Sequence, residues 1–333
     1  MARPKICLLF AGGTIGMVRN SKTGALQPAE SAIGIIRDFP EIQKLVSLDF
    51  KMVVNIDSSN MNPGHWTEIA KKINKYYDQY DGFVVAQGTD TMAYTASALS
   101  FALQNLSKPV VFTGSLIPLN EIGSDGRNNL IYACLTATLD IAEVCMVFAN
   151  KILRANRSKK HQESFVAVFH SPNYPELGEL GRPIKLHEWR KKRRKRVLKF
   201  QPEFDQKISL LKLFPGFDPE IITKAMERGA KGIILEGFGP GNVPFLENSL
   251  IPKIHEANKK GVALVIANQM EKGITNLRSY EAGFEAAKAG AISAQDMTTE
   301  ATVTKLMWAL AKTDKREEIK KIMEKNLAGE LEE

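Results

Sequence analysis

Lys5-Ile6-Cys7-Leu8-Leu9-Phe10-Ala11-Gly12-Gly13-Thr14-Ile15-Gly16 decides the fold: an apolar run long enough for one strand enters a glycine-rich turn. A strand without polar alternation is buried on both faces, as in a parallel sheet covered by helices. Runs of the same kind fall at 52–56, 83–86, 110–113, 144–148 and 165–169, separated by helical spacing at 65–77, 91–103 and 126–139. Beyond a charged interruption the alternation resumes, with strands at 208–213, 233–235 and 263–267 and helices at 219–228 and 248–258. Helices at 297–311 and 315–326 close the chain. The pattern predicts an α/β protein with a larger N-terminal, doubly wound and mainly parallel sheet and a smaller C-terminal α/β domain.

A chain of 333 residues exceeds the usual size of one core, so two domains are expected. The net charge of +8 is not spread over it. Ten Lys and Arg against Glu188 alone between Arg182 and Lys199 give that stretch +9 and leave −1 for everything else. The composition break divides the chain into a catalytic α/β domain (1–182), a basic connector (183–206) and a C-terminal α/β domain (207–333). Seven consecutive cations, Arg190 to Arg196, belong on the surface, because unpaired charge is costly away from water. Composition favours a solvated connector over a nucleic-acid contact or a targeting signal. Only Trp189 and Phe200 flank the run, which is thin for base-stacking platforms.

Three cysteines (Cys7, Cys134, Cys145) without a CxxC pair argue against a secreted disulfide scaffold. The short apolar run after Arg3 and Lys5 enters Gly12-Gly13-Thr14 without a cleavage-like site, and no stretch is apolar enough to span a bilayer. The expectation is a cytoplasmic protein with no membrane partner. Five histidines show no HExxH or paired metal spacing, and no Walker lysine or G-x-G-x-x-G follows the first strand, so neither metal nor cofactor is expected.

Ligands of open α/β sheets sit at the carboxyl edge of the strands. Two hydroxyl-bearing turns fall there: Gly12-Gly13-Thr14 after the first strand, and Gln87-Gly88-Thr89-Asp90-Thr91 after the strand at 83–86. Taken alone, Thr89 or Asp90 reads as a helix N-cap. Two such turns at one edge, one with a carboxylate, favour a site.

These residues resemble a family. GGTIGM (12–17), DSSNM (57–61), GTDTMAYTASALSF (88–101), TGSLIP (113–118), SDGRNN (124–129) and DMTTEA (296–301) are similar, in order, to the cytoplasmic type I bacterial L-asparaginases. The resemblance runs from about residue 5 through the closing NLAGEL (326–331). It implies an amidohydrolase that splits L-asparagine into L-aspartate and ammonia through a threonine acyl-enzyme. Thr14 then corresponds to the nucleophile, and Thr89 and Asp90 to a second hydroxyl–carboxylate pair. The family's lysine follows Asn156-Arg157, where the motif register favours Lys160 over Lys159. Asp57, Ser58, Ser59, Gly88 and Gly114 fall at substrate-binding positions, with oxyanion donors expected at the amides of Thr89 and near Gly114-Ser115. A threonine needs help to become a nucleophile, which a Lys160–Asp90–Thr89 relay would supply. Many members carry a tyrosine in the loop after the nucleophile, whereas residues 17–30 here have none. Tyr280, in the C-terminal domain, resembles a tyrosine that related enzymes use instead. A homodimer or homotetramer is implied by the resemblance alone.

Two competitors share these residues. One is the asparaginase-like, ammonia-generating subunit of a tRNA-dependent amidotransferase, against which stands the nucleophile strand beginning within the first ten residues. The other is a non-catalytic homologue that binds an amino acid or nucleic acid, against which stand the four reactive side chains Thr14, Thr89, Asp90 and Lys160.

Overall fold

The computed structural model describes residues 2–28, 39–163 and 167–332, which divide into two compact units, Met1–Pro202 and Glu203–Glu333. Among the described residues, the first unit is built on an eight-stranded sheet. In chain order its strands are β1 (Lys5–Phe10), β2 (Ser47–Met52), β3 (Gly82–Ala86), β4 (Val110–Thr113), β5 (Val144–Phe148), β6 (Lys151–Arg154), β7 (Gly178–Glu179) and β8 (Lys185–Leu186). They lie in the order β8-β7-β6-β5-β4-β3-β1-β2. The five strands from β2 to β5 are parallel, and β6, β7 and β8 finish the sheet antiparallel.

Every residue of β3, β4 and β5 is buried, as double coverage of a parallel sheet requires. The covering helices include α1 (Pro40–Leu45), α2 (Pro63–Tyr76), α3 (Met92–Ala102) and α4 (Gly126–Thr136). Asn62 starts α2 with a capping box: its side chain accepts from the Gly64 and His65 amides while the His65 ring accepts from the Asn62 amide.

The second unit has a four-stranded parallel sheet of β9 (Ile208–Lys212), β10 (Gly232–Gly237), β11 (Ala263–Asn268) and β12 (Ile292–Ser293), in that order. Its helices are α5 (Glu220–Glu227), α6 (Ile251–Lys259), α7 (Glu281–Lys288), α8 (Thr299–Leu310) and α9 (Arg316–Glu324). Among the described residues, no helix is long and apolar enough to cross a membrane.

Several predicted boundaries move. The strand expected at 52–56 lies earlier, at Ser47–Met52, and the chain leaves the sheet once Met52 has paired with Phe10. Residues 53–56 instead wrap the glycine turn, where the Ile56 carbonyl accepts from the Gly13 amide. Of the strand expected at 165–169, residues 164–166 lie outside the described residues. Phe169–His170 pairs in its own ladder with Lys159–Lys160 and not with the main sheet. Strand β6 and helix α7 were not anticipated, because Lys and Arg punctuate the one and Gly283 interrupts the other.

The expected connector at 183–206 also differs. Lys185–Leu186 is a strand of the main sheet, and the chain through Pro202 belongs to the first unit. The reason is that Arg190 and Arg193 find acceptors there: the Asp140 carboxylate, and main-chain carbonyls at and beyond the end of α4.

The last two family-like motifs serve stability in the second unit. Thr298 caps α8 by accepting from the Ala301 amide, and Asp296 accepts from the Glu332 amide. In the closing NLAGEL, Glu330 pairs with Lys305 of α8 at 2.6 Å, both fully buried. Lys305 also donates to the Met323 and Lys325 carbonyls, and Glu330 accepts from the Leu327 and Ala328 amides. Burial alone would push the Glu330 carboxyl up, but the Lys305 charge and these hydrogen bonds bring it below the ordinary carboxylate value.

Removing one partner of such a pair leaves a buried charge uncompensated. Glu330→Gln should therefore cost about 3–5 kcal/mol in urea unfolding at neutral pH. Because the folded pKa is depressed, the contribution is complete above the ordinary carboxylate range and is lost as pH falls through the folded value. The stability difference between wild type and Glu330→Gln should accordingly shrink at acid pH; a constant difference would assign the loss to packing alone.

Candidate active site

The order β2-β1-β3-β4-β5 places a topological switch point between β1 and β3, because the chain leaves β1 toward one side and returns on the other. Register puts the strand ends level: Phe10 pairs with both Met52 and Ala86, and Ala86 with Thr113. The turns that follow these four strands therefore meet at one edge.

Glycine makes the meeting close. Gly12 and Gly13 have φ of 86° and 90°, a region that favours glycine. A Cβ on Gly13 would lie 2.1 Å from the Gly88 nitrogen, and one on Gly12 would lie 2.1 Å from the Ile56 carbonyl oxygen. The Thr14 turn is thus seated directly against the Gly88 turn. Thr14 opens a single 3-10 turn, Thr14–Gly16, and is half-buried.

Thr89 is buried and Asp90 exposed, and the Lys160 ammonium joins them. It donates to Thr89 Oγ1 at 2.9 Å and to Asp90 Oδ1 at 2.5 Å. Lys160 lies in the Lys159–Lys160 ladder strand, where neighbouring side chains leave opposite faces; register gives Lys160, and not Lys159, this contact. Neither Thr89 nor Asp90 caps α3: the N-cap position is Thr91, without a side-chain capping bond.

Ser58, also buried, closes another wall. Its carbonyl accepts from Thr91 Oγ1 at 2.7 Å, and Thr91 in turn accepts from Gln87 Nε2 at 3.3 Å. Asp57 Oδ1 accepts from the Ser59 amide and hydroxyl at 2.8 and 2.6 Å, which folds 57–59 into a tight turn with Asp57 and Ser59 exposed. Gly114 packs against the Gln87 carbonyl, 2.3 Å from where its Cβ would stand. Behind it, Asn129 donates to the Gly114 carbonyl, and buried Asp125 accepts from the Leu116 and Ile117 amides and from Asn129. The SDGRNN motif therefore shapes the Gly114-Ser115 turn.

Thr14, Asp57, Ser58, Ser59, Gly88, Thr89, Asp90, Gly114 and Lys160 all belong to the first unit, all but Lys160 in its carboxyl-edge turns and Lys160 in the ladder strand beside them. Tyr280 belongs to the second unit, where it is the N-cap residue of α7 and 60% exposed. Sequence reasoning missed Gln87, Thr91, Asp125 and Asn129 as supports. Asp125 and Asn129 lie in the SDGRNN motif, but only their partners reveal the role.

A model of the asparaginase N-terminal region matches residues 5–192, and one of the glutaminase/asparaginase C-terminal domain matches residues 207–323. The chain belongs to the asparaginase family. It is 39% identical to L-asparaginase 1 of Escherichia coli K12, over 99% of each chain. It is 37% identical to a glutamyl-tRNA(Gln) amidotransferase subunit of Pyrococcus abyssi, over 98% of this chain and 77% of that protein. The crystal structure of L-asparaginase I from Vibrio cholerae superposes with a TM-score of 0.92 at 39% identity, covering 99% of this chain and all of that one. As a family member, the chain is an amidohydrolase.

The seating of the Gly88 turn can be tested without altering any reactive group. Gly88 does not occupy the left-handed region, but a Cβ there would lie 2.7 Å from Ser58 Oγ and 3.1 Å from Gly13 Cα. Gly88→Ala should cost about 1–3 kcal/mol through overpacking and lower amide hydrolysis at least about tenfold, a loss of roughly 1.4 kcal/mol in transition-state binding. Thermal melts and ammonia release measure both; wild-type values for both would mean that the turns are not in contact.

Proposed function

We propose that the protein hydrolyses the side-chain amide of L-asparagine to L-aspartate and ammonia, with Thr14 as nucleophile. The observation that carries this reading is the Lys160 ammonium held on Thr89 and Asp90 at the sheet edge where the Thr14 turn also lies. Thr14 Oγ attacks the amide carbon, and its proton passes to the leaving nitrogen, so that ammonia departs and a β-aspartyl ester remains on Thr14. Water then attacks that ester, its proton returning to Thr14 Oγ as the acyl–oxygen bond breaks. Thr89 relays the proton of the incoming nucleophile: it takes that proton and gives its own to Lys160, whose ammonium gives one to the Asp90 carboxylate, and the relay runs back to protonate the leaving group. The amides of Thr89 and of Gly114-Ser115 are the proposed oxyanion donors, each worth roughly 3–4 kcal/mol if well placed.

Asp90 has a second role in this proposal. Its side chain is 61% exposed although one oxygen holds Lys160, which leaves room for the substrate's α-ammonium. Asp57, Ser58 and Ser59 receive the α-carboxylate and α-amine, and Gly88 and Gly114 let the backbone approach. Tyr280 of a second subunit is proposed to assist proton transfer in place of a loop tyrosine, of which residues 17–30 carry none. A cytoplasmic homodimer or homotetramer is the proposed setting.

A second reading, ammonia supply to a tRNA-dependent partner, is favoured by the 37% identity to an amidotransferase component from Pyrococcus abyssi. Ammonia release from L-asparagine and L-glutamine by the purified chain separates the two. Asparagine turnover by the chain alone, abolished in Thr14→Ala with an unchanged circular dichroism spectrum, is the expected result. No release without an added tRNA-dependent partner would transfer the activity to the second reading. Asparagine and glutamine differ by one methylene, worth about 1–3 kcal/mol, so a rate ratio of roughly 10 to 200 is expected. Tyr280→Phe should lower the rate substantially, and a near-wild-type rate would remove Tyr280 from the mechanism.

A further inference from the structure

The proposed hydrolytic mechanism uses none of the seven consecutive cations from Arg190 to Arg196. The structure sorts them into two groups. Arg190, with its side chain 10% exposed, donates to the Asp140 carboxylate at 3.1 Å and to the Asp140 carbonyl at 2.9 Å. Arg193 donates to the carbonyls of Leu139, Ala137 and Asp81 at 2.7, 2.9 and 3.0 Å, and its amide donates to Asp140 Oδ1 at 2.8 Å. Between them the Lys191 amide donates to buried Glu143, and the Lys191 carbonyl accepts from the Ala142 amide. These bonds fasten the main chain to the first unit.

Lys192, on that fastened segment, and Arg194, Lys195 and Arg196, which follow it directly, are left exposed. Lys192 pairs with Glu188, itself 80% exposed, while Arg194, Lys195 and Arg196 have no carboxylate partner among the described residues. Their mutual repulsion opposes the compact state, so fold stability does not account for them. The two family matches end at 192 and resume at 207, so these three cations also lie outside the matched regions.

We infer that this strip is a docking surface for the phosphate backbone of single-stranded nucleic acid. Fixed cations bind a polyphosphate by releasing its counterions, and arginine forks fit phosphate oxygens. Beside the strip, Trp189 is 44% exposed and stacked on His187, with ring centroids 4.5 Å apart and planes within 5°. An aromatic stack next to a cationic track is how unpaired bases are held without sequence reading, whereas a duplex hides its base faces. A bilayer is the weaker fit, because a polybasic segment without an acyl chain or amphipathic helix anchors poorly.

The test is independent of the hydrolytic reading, since it reads binding. Fluorescence anisotropy of the full chain with a labelled mixed-sequence RNA of about 20 nucleotides should show saturable binding at about 50 mM salt. With three or four phosphates neutralised, log K against log salt should fall with a slope of roughly −2 to −3. Arg194→Glu/Lys195→Glu/Arg196→Glu should weaken binding at least about tenfold while leaving ammonia release unchanged. The inference is overturned by no saturable binding at about 50 mM salt, by equal affinity in the triple variant, or by tighter binding to a duplex of the same length. Capture of wild type by phosphatidylserine-rich vesicles with none by RNA would replace the nucleic acid with a lipid surface and equally overturn it.

Discussion

Where β1 and β3 end, the backbones of Gly13 and Gly88 lie so close that neither turn tolerates a methyl group toward the other without displacing something. That approach is what makes a site of two hydroxyl-bearing turns. β1 and β3 are hydrogen-bonded neighbours, but the 71 residues from 11 to 81 separate them in sequence, a span the register of β1 with β3 brings to one place. Side chains larger than hydrogen at these positions would hold the Thr14 and Thr89 turns apart. The glycines matter here for the space that they leave, and at Gly12 and Gly13 for their dihedral angles as well.

Buried polar groups tie the turns around this contact to one another. Asp125 gathers two main-chain amides and the Asn129 amide, Asn129 spans from the Gly114 carbonyl to the Ala149 amide, and Thr91 fixes the Ser58 carbonyl. Such networks are rigid only when satisfied, and an orphaned member would cost about 1–3 kcal/mol. The supports sit behind the candidate side chains Thr14, Thr89, Asp90 and Lys160. Their function is to hold loops, which would otherwise be the mobile parts of the sheet edge, in one conformation.

Legibility followed physical distinctness. The buried strands at 83–86, 110–113 and 144–148 announced themselves because every residue but Thr113 is apolar, and the first strand because it runs into glycines. Edge strand β2 was displaced in the reading because it alternates, with Leu48, Phe50 and Met52 packed on the core and charged residues between, while the more uniformly apolar residues after it wrap a turn. The paired turns of the site were legible from hydroxyls and a carboxylate at strand ends. Which of two adjacent lysines reaches them was not a matter of composition, since ladder register decides it. The basic run misled in the other direction. Seven cations read as solvent-exposed throughout, but free carbonyls beyond the end of α4 draw Arg193 inward, and Asp140 holds Arg190.

The Glu143–Arg154 pair links the candidate site of the first unit to the cationic strip. Both side chains are about 95% buried, and Arg154 Nε donates to Glu143 Oε2 at 2.6 Å. Burial would lower the Arg154 pKa, but the Glu143 charge and hydrogen bond outweigh it and raise it, so the guanidinium stays charged. Arg154 ends β6 and leads through the Ala155–Arg157 turn to Lys160, while its guanidinium also holds the Trp189 carbonyl. Glu143, just before β5, takes the Lys191 amide with its other oxygen. One ion pair therefore anchors both the segment that delivers the site lysine and the base of the cationic strip. A buried pair of this kind adds little stability compared with apolar residues of equal volume, so its value here is positional: it fixes two strands and a surface segment in one register.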